Sequence, residues 1–200
     1  MNALGIFFLD WVRSMKYLAV IAGVLQLLSV SATLAHAASP SAYDFSFPSI
    51  DGGQIKLADW RGKVLLVVNT ASFCGYTKQY AGLQQLWSKY ESKGLVVVGV
   101  PSNDFGGQEP RAEGDIKNFC QGAFGVTFPL AAKQVVAGPD AHPFYQWASA
   151  DAAGGGPPAW NFHKYLIGRD GRLLRAFPST LTPTSDDVTG WIEKALAEPQ

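Results

Sequence analysis

Apolar and polar positions follow two distinct periods along this chain. Tyr43 to Leu57 alternates apolar and polar residues around Asp51-Gly52-Gly53, which predicts a β-hairpin. Asp59-Trp-Arg-Gly62 reads as a turn, and Val64 to Asn69 is a continuous apolar run, as expected of a strand covered on both faces. Tyr80, Leu83, Trp87 and Tyr90 then recur at helical spacing until Gly94. Leu95 to Val100 is a second buried strand, which completes a βαβ unit. Asn103 to Gly107 is rich in turn formers, and a second helix is predicted over Glu113 to Gln121, with Ile116, Phe119 and Cys120 on one face.

A short helix is expected near Pro143 to Ser149, followed by a connector over Ala152 to Pro158. Tyr165 to Ile167 and Leu173 to Phe177 flank Gly168-Arg-Asp-Gly171, a second hairpin signal. The last helix opens on Ser185 as N-cap and buries Val188, Trp191, Ile192, Ala195 and Leu196. This order predicts an α/β protein with a thioredoxin-like fold, a central mixed β-sheet flanked by helices on both faces.

The first 37 residues do not belong to that pattern. Arg13 and Lys16 precede an apolar stretch from Tyr17 to Leu34, and Ala35-His36-Ala37 supplies a small-x-small cleavage site. Residues 1–37 are expected to be a cleaved signal peptide, residues 38–200 a single domain, and the mature protein periplasmic or secreted. An uncleaved membrane anchor is the alternative, with Gln26, Ser29, Ser31 and Thr33 weighing against it. Acidic and basic residues number 16 each, so no field draws the chain to nucleic acid.

Chemistry rests on 2 cysteines. Cys74 follows the first buried strand and precedes a helical pattern, a position whose N-terminal field favours a thiolate. In an oxidising compartment, one structural Cys74–Cys120 disulfide is the plain alternative. Cys74-Gly-Tyr-Thr77 lacks the second cysteine of a dithiol motif, and neither His142 nor His163 has the neighbours of a catalytic base. No clustered ligands suggest a metal, and no glycine-rich phosphate loop suggests a cofactor. A lone nucleophile needs donors that do not titrate near neutrality. Gln108 after the second buried strand, with Trp160 and Asn161 before the third, are the candidates.

Asn69-Thr-Ala-Ser-Phe-Cys-Gly-Tyr-Thr77 resembles the Asn-Val-Ala-Ser-x-Cys-Gly-x-Thr signature of the glutathione peroxidase family. Val100-Pro-Ser-Asn-Asp-Phe-Gly-Gly-Gln-Glu-Pro110 and Trp160-Asn-Phe-His-Lys-Tyr-Leu-Ile167 resemble its next two blocks, in family order. The resemblance implies a thiol peroxidase reducing hydrogen peroxide and organic hydroperoxides. It makes Cys74 the peroxidatic residue and Gln108, Trp160 and Asn161 the rest of a catalytic tetrad. Ile116 to Gln121 resembles the segment holding the resolving cysteine of thioredoxin-dependent members. Cys120 would then condense with a Cys74 sulfenic acid, and a thioredoxin-like dithiol or glutathione would reduce the disulfide. The Cys120 helix would have to unwind, with Gly114, Gly122 and Gly125 easing the opening. Ser102 and Asp104 depart from the family pattern, and Asp104 places a charge near the expected site. The short Ala152–Pro158 connector implies a monomer. A redox relay that passes oxidation to a partner protein is the rival function.

Overall fold

The computed structural model describes residues 40–153 and 155–199. The expected signal segment, residues 1–37, lies outside them. β1 (Ser46–Pro48) and β2 (Gln54–Lys56) pair antiparallel across Asp51-Gly52-Gly53. They are shorter than the alternation predicts, because their flanks close into single 3-10 turns at Ala42–Asp44 and Leu57–Trp60.

The central sheet contains β3 (Val64–Thr70), β4 (Leu95–Pro101), β5 (Lys164–Ile167) and β6 (Leu173–Phe177), in the order β4-β3-β5-β6. β3 and β4 are parallel, whereas β5 runs antiparallel to β3 and β6 antiparallel to β5, so the sheet is mixed as expected. Every residue of β3 and β4 is buried. Their side chains alternate between two apolar layers, as the period of two requires. Val64, Leu66, Val68 and Val97 face one layer, and Leu65, Val67, Val96 and Val98 face the other.

The first layer is closed by α1 (Gln79–Tyr90), α2 (Glu113–Phe124) and α4 (Asp186–Ala197), through Tyr80, Leu83, Ile116, Cys120, Val188 and Ile192. The second is closed by α3 (Pro143–Ala150) together with the β1–β2 hairpin, through Phe144, Tyr145 and Phe47. Helices therefore cover both faces, but unequally. The α2 helix runs one turn past its expected end and stops at Gly125, whose left-handed φ of 62° suits glycine. Gly122 thus lies inside this helix rather than beyond its end, as Gly114 does within the expected span. Gly99 is required by space: a Cβ there would sit 2.6 Å from a Leu130 methyl, and Leu130 bridges alongside β4.

His142 caps α3, accepting the Phe144 N–H at Nδ1 (3.2 Å), while Nε2 donates to the Ser46 carbonyl (3.0 Å). Ser185 caps α4 at the Val188 N–H, as its position predicts.

Candidate active site

Strand direction brings three separated segments to one edge of the sheet. Thr70 and Pro101 are partners at the carboxyl ends of parallel β3 and β4, so the loops that follow leave side by side. Because β5 is antiparallel, its amino end, Lys164, pairs with Val68 near that same edge. The segment before β5 therefore meets those two loops, and it carries Trp160 and Asn161.

Hydrogen bonds join the segments. The Phe73 N–H donates to the Gln108 carbonyl (3.0 Å), tying the residue before Cys74 to the second loop. Asn161 Nδ2 donates to Gln108 Oε1 (3.0 Å), and Asn69 Nδ2 donates to the Trp160 carbonyl (3.1 Å). That pairing orients the Gln108 amide, leaving its NH2 group as the free donor. Trp160 is 39% exposed, with its ring against Phe105. Gln108, Trp160 and Asn161 are thus brought together beside the Cys74 turn.

Cys74 is not at a helix start, contrary to expectation, since α1 begins only at Gln79. Thr77 explains the difference. Its hydroxyl accepts the Cys74 N–H (3.0 Å) and donates to the Ala71 carbonyl (2.9 Å), while its own N–H donates to the Cys74 carbonyl (3.0 Å). These bonds close a tight turn ahead of the helix, which gives the Cys-x-x-Thr spacing its physical purpose. The sulfur instead accepts the Tyr76 N–H (3.4 Å) and lies just beneath the surface, 8% exposed. An oriented amide dipole acts on the sulfur here in place of a whole helix.

Lys164 went unnoticed in the sequence because it occupies an ordinary strand position. It is wholly buried, and its ammonium donates to the carbonyls of Phe162 (2.7 Å) and Leu181 (2.8 Å). Burial pushes it down to about 7. Phe162 has the left-handed φ of 66°, a conformation rare outside glycine. Its N–H donates to the Asn69 carbonyl (2.6 Å). Asn69 and Lys164 thus hold the Trp160–Phe162 turn from both sides. The neighbouring His163 is pushed down to about 4 by burial, helped by the Lys164 charge, which keeps it neutral and outside acid–base work at pH 7.

Asp104 does not direct its charge into the site. One carboxylate oxygen accepts the N–H groups of Val136 (2.6 Å) and Ala137 (3.0 Å). Glu109 is the acid that is buried. It accepts from the Ser72 hydroxyl (2.8 Å), and burial raises its carboxyl above the usual range.

Cys120 makes none of the hydrogen bonds that join this cluster. It is wholly buried among Tyr80, Ile116 and Val126, and neither cysteine is in a disulfide. Burial pushes its thiol up to about 11, against the opposing influence of the Tyr80 hydroxyl. Among the described residues, no group of three or more His, Cys, Asp and Glu could hold a metal.

A mixed α/β sheet flanked by helices, with a cysteine just beyond a central strand, gives the protein a thioredoxin-like build. A thiol:disulfide interchange protein of the thioredoxin family from Chlorobium tepidum shares the fold, with TM-score 0.56 at 20% identity over 80% of this chain and 95% of that chain. The family model for glutathione peroxidase matches residues 42–149. The hydroperoxy fatty acid reductase gpx1 of Synechocystis sp. is 44% identical over 167 residues, covering 80% of this chain and 98% of that protein. The glutathione peroxidase-like peroxiredoxin gpx1 of Schizosaccharomyces pombe is 41% identical over 143 residues, covering 70% and 90%. The crystal structure of T. cruzi GPX1 superposes with TM-score 0.65 at 30% identity, over 80% of this chain and 99% of that chain. The chain belongs to the glutathione peroxidase family, and it is a thiol peroxidase.

Proposed function

We propose that Cys74 is the peroxidatic nucleophile and Cys120 the resolving thiol of a two-cysteine cycle. The observation that carries this reading is the convergence of the Cys74 turn, the Gln108–Asn161 pair and Trp160 at one sheet edge. The Cys74 thiolate attacks the peroxide, the O–O bond breaks, and water or an alcohol leaves as Cys74 becomes a sulfenic acid. The Gln108 amide, Trp160 indole and Asn161 amide donate to the charge that develops on sulfur and on the departing oxygen. Cys120 then forms the disulfide, which a thioredoxin-like dithiol or glutathione reduces.

Substrates on this reading are hydrogen peroxide and organic hydroperoxides. A cavity of about 480 Å³ beside Trp160, lined by Tyr76, Ala159, Pro178, Ser179 and Thr180, offers room for an organic substituent. The reading also includes cleavage after Ala37, export to the periplasm or beyond, and a monomeric domain. Peroxide consumption by wild type, Cys74→Ser and Cys120→Ser, each with thioredoxin or glutathione, tests the cycle. Cys74→Ser should be inactive, and Cys120→Ser should complete one turnover and stall with thioredoxin. Sustained thioredoxin-dependent cycling by Cys120→Ser removes the resolving role. Amino-terminal sequencing of the exported protein should begin at Ala38, and an intact leader would overturn cleavage.

A further inference from the structure

The two cysteines are linked through the residues that precede them. Phe73 stands immediately before Cys74, and Phe119 immediately before Cys120. The Arg111 guanidinium lies over both rings, 4.7 Å from the Phe73 centroid and 4.8 Å from that of Phe119. Its Nε is buried with no hydrogen-bond partner among the described residues, so stacking on the two rings, with the attraction of the buried Glu109 carboxylate, holds the guanidinium. Arg111 directly precedes Ala112, the N-cap of α2, which makes no side-chain capping bond. Gly114 and Gly122 inside α2 each weaken it relative to alanine.

We infer that Arg111 is the latch of the Cys120 helix, a positioning residue that holds Phe119 against the Cys74 turn until resolution begins. The inference rests on the resolving role proposed for Cys120. In that step the Cys120 sulfur attacks the Cys74 sulfenic sulfur, an S–S bond forms and the S–O bond breaks. The hydroxide leaves with the Cys120 proton as water, so Cys120 is oxidised and the sulfenic sulfur is reduced. To reach Cys74, Cys120 must leave the core, and Phe119 moves with it and gives up its face of the guanidinium. Losing that contact should make opening, and therefore disulfide formation, about three- to tenfold more favourable.

Rapid-mixing kinetics test the latch by separating sulfenic acid formation from disulfide formation. Arg111→Ala should leave the peroxide step unchanged, accelerate resolution about three- to tenfold and raise hydrogen exchange in α2 alone. Phe119→Leu, which keeps apolar bulk without the ring, should do the same. The double variant should be no faster than either single one. Unchanged resolution in both variants overturns the latch, as does an equal change in both steps or additive effects in the double variant. Absence of a Cys74–Cys120 disulfide in peroxide-treated wild type, by mass spectrometry, would instead remove the resolving role itself.

Discussion

Cys74 lies in a turn beyond β3, just under the surface, with the Tyr76 N–H directed at its sulfur. Cys120 lies wholly inside α2, among apolar side chains, with its thiol pushed up to about 11. One sulfur is presented to small molecules, whereas the other is kept protonated and out of their reach. In the cycle proposed above, this difference sets an order of events: peroxide would meet Cys74 first, and Cys120 would act only once its helix has opened. On that reading, a burial that looks structural protects the second thiol from the oxidant that the first would consume.

The sharpest way to break this contrast is to remove the accessible sulfur. Cys74→Ser should reduce peroxide consumption at least about a thousandfold, measured under single-turnover conditions. Removing a donor tests the surroundings of Cys74 in the same assay. Gln108→Ala should slow the peroxide step about a hundredfold. The next variant loosens the buried side. Ile116→Ala should destabilise the protein by about 2–5 kcal/mol in urea unfolding and bring Cys120 labelling by a thiol reagent closer to the rate of Cys74.

A smaller effect follows from pH. The unfolded Cys120 thiol loses its proton near 9, but the folded one keeps it to about 11, so the native state binds more protons across that window. Stability should therefore fall as pH rises from 9 to 11, by up to about 2 kcal/mol, and Cys120→Ala should lose that component. The smallest effect is expected at Asp104. Asp104→Asn should leave the peroxide rate within about twofold, with a stability loss of about 1 kcal/mol from weaker bonds to Val136 and Ala137.

Some of this was plain in the chain itself. The unbroken apolar runs at Val64–Asn69 and Leu95–Val100 could satisfy only strands covered on both sides, and they became β3 and β4. Gly168-Arg-Asp-Gly171 produced its hairpin, and Ser185 produced its cap. The position of Cys74 relative to α1 was not legible, because helical periodicity marks apolar faces and not the side-chain bonds that Thr77 makes to close a turn. Nothing in the local pattern marks Lys164 or Glu109 as buried. Their burial depends on carbonyl and hydroxyl partners contributed by other segments, Leu181 and Ser72 among them.

The sequence by itself determined the α/β class, the two cysteines and the three ordered blocks that carry the site. These are local properties of spacing and residue type. Tertiary structure alone decided that parallel β3 and β4 and antiparallel β5 would present those blocks at one edge, with Gln108 paired to Asn161. It also decided that one guanidinium would rest on the neighbours of both sulfurs. Strand pairing and ring stacking join residues far apart in the chain, and no local pattern records which distant partner each will meet.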